Sequence, residues 1–135
     1  MKVKCIVNEV SKLKRKFRVS GESTSLIYNI TLDKVYIVYG VSIYDNKLYY
    51  LIINDSSKPE WRQTACFEVV NHKLPEDWLF KEYVYSNSKL RAIISYSSMI
   101  ENEEHYDKLI DGEEEDRIIF YKMVENMRKK SEEEL

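Results

Sequence analysis

Apolar and polar residues alternate along much of this chain with the period of two that marks a half-buried β-strand. In residues 2–7, KVKCIV, the positions Val3, Cys5 and Val7 fall on one face. The run KVYIVYGVSIY, residues 34–44, puts Val35, Ile37, Tyr39, Val41 and Ile43 on one side and Tyr36, Val38 and Tyr44 on the other. Asp45-Asn46 follows, and both residue types tolerate the left-handed conformation that a two-residue hairpin turn demands. KLYYLIIN is then the return strand, DSSKPE the next turn, WRQTA a third strand, and CFEVV closes the set. Three consecutive strands with short connections form a meander, and so small an antiparallel sheet buries its face best by curling into a barrel.

The pattern changes at both ends. SKLKRKFRVSGESTS, residues 11–25, carries five basic residues and a Ser/Thr/Gly cluster, and reads as a loop or a mobile hairpin. After LPEDW, the runs WLFKEYVY and LRAIISYS are candidates for further strands, and residues 79–100 have no decisive period. NEEHYDKLI is a short helical piece that Asp111-Gly112 ends, with glycine where a helix stop wants it. EEEDRIIFYKMVENMRKK begins with acids and ends with bases, matching the helix dipole at both termini. Its apolar face is Phe120, Met123, Val124 and Met127, and SEEEL reads as a frayed end. The expectation is a mainly β, α+β chain: an SH3-like antiparallel barrel with a C-terminal helical segment. Residues 1–135 form a single domain with one core, the barrel spanning 1–88 with a basic loop at 11–25, and a strand/helix extension at 89–135.

Composition agrees with such a fold. Hydrophobic residues make up 44% of the 135 and charged residues 33%, enough of the first to fill a core and of the second to solvate the surface. Tyrosine, with 11 residues, suits half-buried strand positions where the ring packs and the hydroxyl stays wet. The N-terminus MKVKCIVNEV lacks the sustained apolar stretch of a secretory signal, and no run approaches the ~20 apolar residues that cross a bilayer. Cys5 and Cys66 lie in apolar strand-like contexts, as reduced core residues rather than a disulfide. The expectation is a soluble, cytoplasmic protein with no membrane partner.

Candidate chemistry is sparse. His72, His105, Cys5 and Cys66 are far apart and show no metal-ligand spacing, so the reading is two surface histidines, two buried thiols and no metal. Gly21, Gly40 and Gly112 are isolated and form no phosphate loop. No serine sits in a nucleophile elbow, and the many carboxylates single out no acid–base pair. The expectation is therefore a non-enzyme without a cofactor.

Charge is more informative. The net charge of -2 hides a balance of +6 over residues 1–20, seven Lys/Arg against Glu9, and of -7 over residues 101–135, thirteen Asp/Glu against six Lys/Arg. Such separation acts on the steering of partners rather than on the fold. The basic run offers Lys12, Lys14, Arg15, Lys16 and Arg18, interleaved with Leu13 and Phe17, as a nucleic-acid contact strip in which cations meet phosphates and an aromatic stacks on a base. Its plain reading is an exposed hairpin, and the acidic total weighs against nucleic acid as the main ligand. The acidic stretch 101–116 offers Glu101, Glu103, Glu104, Asp107, Asp111, Glu113, Glu114, Glu115 and Asp116 as a lure for a basic partner, against the plain reading of a helix N-terminus plus solubility.

A family resemblance joins these threads. Ile30, Thr31, Lys34, Tyr36 and Val38 match an opening strand pattern of leucine-threonine-x-glycine-lysine-x-tyrosine-x-valine, with Asp33 where the glycine is usual. Tyr50, Ile52, Asn54 and Asp55 match its aromatic return strand, Trp61 and Phe67 follow in place, and Leu74, Pro75, Asp77 and Trp78 resemble its closing motif. Over residues 30–78 the chain resembles small bacterial SH3-like barrel proteins, many of which accompany polymorphic or contact-dependent toxins as immunity proteins while others sit in phage-related loci. The resemblance implies a barrel, and a protein-binding role that neutralises a cognate toxin, such as a basic nuclease. The alternative is a nucleic-acid-binding accessory module using the basic run. The matched positions are mostly scaffold, so toxin binding is implied by the family's setting and not by any matched interface residue.

Overall fold

The computed structural model describes residues 1–84 and 87–133. Two antiparallel sheets and three helices build it. Strands β1 (Lys2–Cys5), β2 (Val35–Ile37) and β6 (Phe67–Asn71) form one sheet in the order β2-β1-β6. Strands β3 (Gly40–Tyr44), β4 (Lys47–Ile53), β5 (Pro59–Gln63), β7 (Leu79–Glu82) and β8 (Leu90–Ser95) form the other, in the order β5-β4-β3-β8-β7. Helices α1 (Ser97–Glu101), α2 (His105–Ile110) and α3 (Glu114–Glu133) follow. The fold is mainly β within an α+β class, and the sheets do not close on each other.

The meander β3-β4-β5 is present, but its third strand, Pro59–Gln63, starts inside the predicted turn DSSKPE, and the CFEVV run expected to close the set lies in the other sheet as β6. Asp45 and Asn46 take φ of 49° and 62°, so the hairpin closes directly at Tyr44 opposite Lys47. In the next turn the Asn54 side-chain oxygen accepts from the backbone N–H of Ser56 (2.9 Å) and Lys58 (3.1 Å), which lets Ser57 sit at φ 61°. Asp33, standing where the family pattern has glycine, is also left-handed, at φ 66°.

Residues 34–44 differ from the single strand that their alternation predicts. The chain changes sheets in the middle of the run. Val38 N–H donates to Met1 O (3.0 Å) in the first sheet, and Tyr39 N–H donates to Leu51 O (2.8 Å) in the second. Val35 and Ile37 are exposed while Tyr36 and Val38 are buried. Gly40, next along, is confined: a Cβ there would lie 2.8 Å from Ser95 Oγ and 3.0 Å from the Trp61 ring.

The five-stranded sheet has a core on each face, not the one core expected. Tyr50 and Ile52 of β4 join Val3, Cys5, Leu13, Tyr36, Val38, Phe67 and Trp78 on the side of the smaller sheet. Leu51, between them, joins Tyr39, Ile93, Tyr96, Met99, Leu109 and Phe120 on the side of the helices. Strand side chains alternate, so a strand covered on both faces reads as a continuous apolar run, which is what YYLII shows. Phe120 is fully buried with Met123, Val124 and Met127 packed beside it, the α3 face that helical spacing predicts. The helix runs through Ser131–Glu133, where a frayed end was expected, and Glu134 and Leu135 lie outside the described residues. β8 sits between β3 and β7, so residues 89–135 are not an extension added to a finished barrel.

Residues 11–25 are not a loose hairpin either. Two 3₁₀ turns, Val10–Lys12 and Arg15–Phe17, fold the segment against the first core, an antiparallel bridge pairs Glu9 with Ile27, and Leu13 is buried. Most residues that carry the opening half of the family resemblance converge on one carboxylate. Asp55 accepts from Lys34 Nζ (2.8 Å), Tyr36 Oη (2.7 Å) and Thr31 Oγ1 (2.6 Å), tying the β4–β5 turn to the chain before β2. Partial desolvation opposes its charge, but the bonds from Lys34, Thr31 and Tyr36 outweigh it and bring the carboxyl down to about 2. Burial and the Asp55 bond push Tyr36 up to about 12.

Candidate interaction surface

The acidic stretch folds into α1, α2 and the first turn of α3, and a buried triad holds these pieces in place. His105, expected at the surface, is fully buried. Its Nδ1 lies 2.8 Å from Asp116 Oδ1 and its Nε2 lies 2.7 Å from Tyr96 Oη. A hydrogen on Nδ1 satisfies all three groups: the ring donates to Asp116 and accepts from Tyr96. Burial, and then the Asp116 charge, push the Tyr96 hydroxyl up, so it keeps the proton it donates. A histidine oriented by a carboxylate is the base half of a hydrolytic triad, yet here the second nitrogen is taken by a tyrosine and no part of the ring meets solvent. The arrangement is a bolt joining the end of β8, α2 and α3.

This corrects one predicted contact residue. Asp116 is buried and committed to His105, so it cannot meet a partner. The other eight carboxylates, Glu101, Glu103, Glu104, Asp107, Asp111, Glu113, Glu114 and Glu115, are all exposed. Only two find a cation among the described residues: Glu103 with Lys81 (3.8 Å) and Glu104 with Lys108 (2.8 Å). Exposed pairs of this kind contribute little, so the surface keeps nearly its full negative field. Ile110 and Ile118, 56% and 59% exposed, stand among these acids as uncovered apolar side chains.

The basic run is smaller than the sequence suggests. Leu13 belongs to the core and cannot stack on a base. Arg18 is turned inward, its Nε donating to Leu13 O (3.1 Å) and its Nη2 to Ser11 O (3.0 Å). Lys12 lies 3.7 Å from Glu9, and Lys16 Nζ sits 5.0 Å from the Phe17 ring centre. Lys14 and Arg15 are exposed and have no ion pair among the described residues.

Sequence reasoning missed a groove of about 710 Å³ between β4–β5 and α2. Tyr44, Tyr49, Trp61 and Tyr106 give it aromatic walls, with Trp61 and Tyr106 5.6 Å apart at 45°. Arg62 and Glu60, which also border it, are paired with each other (2.8 Å) towards the opposite face of the sheet, where Arg62 stacks 3.7 Å over Tyr28 of the first core. The tyrosine excess was the available signal, but these rings come from three separate stretches of chain. Among the described residues no group of three or more His, Cys, Asp or Glu could hold a metal ion, and no helix is long and apolar enough to cross a membrane. Compared with protein-family models, curated proteins and solved structures, the chain gives no match in any of the three.

Proposed function

We propose that this chain is a non-enzymatic protein-binding module, an immunity protein that neutralises a cognate bacterial toxin by direct contact in the cytoplasm. The observation that carries the reading is the set of eight exposed carboxylates on the short helices and the turns between them, held by the buried His105–Asp116 pair, with Ile110 and Ile118 among them. A dense negative surface accelerates encounter with a basic partner, and apolar residues inside it supply the short-range anchor. A nuclease, whose substrate groove is basic, fits that chemistry. The resemblance of residues 30–78 to SH3-like immunity proteins points the same way, with the two sheets acting as a barrel-like scaffold and the helices as the contact surface. The alternative, a nucleic-acid module, retains Lys14 and Arg15 as its free cations together with the partly engaged Lys12 and Lys16.

The test pairs the chain with the toxin domain encoded beside it. Co-expression should rescue growth, and reversing Glu103, Glu104, Glu114 and Glu115 to lysine should slow association at low salt by about tenfold or more. An unchanged association rate refutes the acidic contact, and no rescue with no complex refutes the immunity reading. DNA or RNA binding that weakens steeply with salt and is lost when the basic run is neutralised would favour the alternative.

A further inference from the structure

The groove between the β4–β5 turn and α2 combines flat aromatic walls with hydrogen-bond donors that the protein leaves unused. Among the described residues, Lys58 Nζ and the Arg117 guanidinium make no hydrogen bond or ion pair, and Trp61 Nε1 and Arg117 Nε are screened from solvent with no acceptor. Among the described residues the hydroxyls of Tyr44, Tyr49 and Tyr106 have no hydrogen-bond partner either. Burial raises the Tyr49 and Tyr106 phenols, so both stay protonated and able to donate. The guanidinium lies against Gly112, where a Cβ would come 2.9 Å from Arg117 Nη2. With Arg62 and Glu60 paired towards the opposite face, the lining residues Lys58 and Arg117 outweigh Asp107, so the groove carries a positive balance beside a strongly negative helical surface. Its volume, about 710 Å³, lies in the range of small-molecule sites.

We propose that this groove binds a planar ring bearing an anionic group, the ring packed against Trp61 and Tyr106 and the anion held by Lys58 and Arg117. Aromatic walls accept any flat π-face, while a charge-assisted bond to the guanidinium fixes orientation. Two sources share that chemistry: a nucleotide, with its phosphate, and an aromatic amino-acid derivative, with its carboxylate. Asp107 and Ile110 border both this groove and the acidic surface, but the anion site is argued from Lys58, Arg117 and the aromatic rings, so loss of toxin binding would not by itself refute it.

The chain has two indoles, and they lie in different places: Trp61 lines the groove, while Trp78 is buried in the opposite core. A nitrogen–proton correlation spectrum therefore reads the site directly. Adenosine monophosphate and N-acetyltryptophan are titrated beside adenosine and N-acetyltryptophanamide, their counterparts without the anion. At least one anionic probe should shift the Trp61 indole and saturate near or below about 1 mM. Its neutral counterpart should bind about tenfold more weakly, as should Lys58→Gln and Arg117→Gln, while the Trp78 indole stays still. A response to the nucleotide alone assigns a phosphate, and a response to the amino acid alone assigns a carboxylate. No shift with either probe, or equal shifts from charged and neutral forms, overturns the proposal. Lys58 is exposed on a turn, so a folded Lys58→Gln variant that binds the anionic probe undiminished refutes its role even if Arg117→Gln fails to fold.

Discussion

Replacing Asp55 by asparagine removes one charge and leaves nearly the same volume, so it isolates what the carboxylate does for stability. In the folded chain the group titrates at about 2 instead of the ordinary 3.8. At roughly 1.4 kcal/mol per pH unit, that difference is an upper bound of about 2.5 kcal/mol. Asp55 is 23% exposed and Lys34 51% exposed, so solvent screening reduces the expected value to about 1–1.5 kcal/mol. The sign follows from the lowered value. The contribution is present in full above the unfolded carboxylate's range and is lost as pH falls from about 4 through about 2, where the folded state takes up its proton. Urea unfolding of the native chain and of Asp55→Asn at about pH 7 should therefore differ by about 1–1.5 kcal/mol, and at about pH 2 by little. Every other acid titrates in both proteins and cancels in the comparison. A gap of the same size at both pH values would show that the amide fails for steric reasons, and no gap at neutral pH would show that the node stabilises nothing. Lys34→Met, expected to lose less because Thr31 and Tyr36 still donate, separates the ion pair from the neutral bonds.

Substitutions at two further positions test the parts of the fold that differ from expectation. Asp116→Ala strands His105 Nδ1 in a dry interior and should cost about 2–3 kcal/mol, with faster amide exchange in α2 and the first turn of α3. Asp116→Asn, which can still accept the ring hydrogen, should lose less, and wild-type stability in the alanine variant would refute the bolt. Leu13→Ala should cost about 2–4 kcal/mol in thermal or urea unfolding because the side chain belongs to the first core. A near-neutral result would return residues 11–25 to the loose hairpin that their composition suggests.

Features decided by neighbours in the chain were legible in the sequence, and those decided at a distance were not. Asp45-Asn46 announces its turn because the left-handed preference belongs to the residues themselves. Phe120, Met123, Val124 and Met127 announce a helix face because their spacing is the helix's own period. The switch at Val38 and Tyr39 has no such mark. Alternation continues through it, and what separates the two residues is that one donates to Met1 and the other to Leu51. The groove is hidden for the same reason, since three strands and α1 separate Trp61 from Tyr106 along the chain.

Asp116 is the sharpest case, and it bears on the proposed interface. It closes a run of four acids, Glu113 to Asp116, and nothing in composition or charge sets it apart from Glu115. Its partner is His105, eleven residues earlier, a separation of about three helical turns that would hold the two roughly 16 Å apart along an unbroken helix. Only the reversal of chain direction at Gly112, with φ of 77°, brings the two together. One acid of the run thus leaves the proposed contact surface and fixes the orientation of the rest. Binding by a charged surface is weakened by the entropy of ordering it, and helices of five and six residues are too short to hold themselves. Cross-linked through Tyr96, His105 and Asp116, the eight remaining carboxylates stand preorganised before any partner arrives. The bolt should therefore matter to association as well as to folding: Asp116→Asn, folded but looser in α2, should bind a basic partner more weakly with its eight surface charges intact.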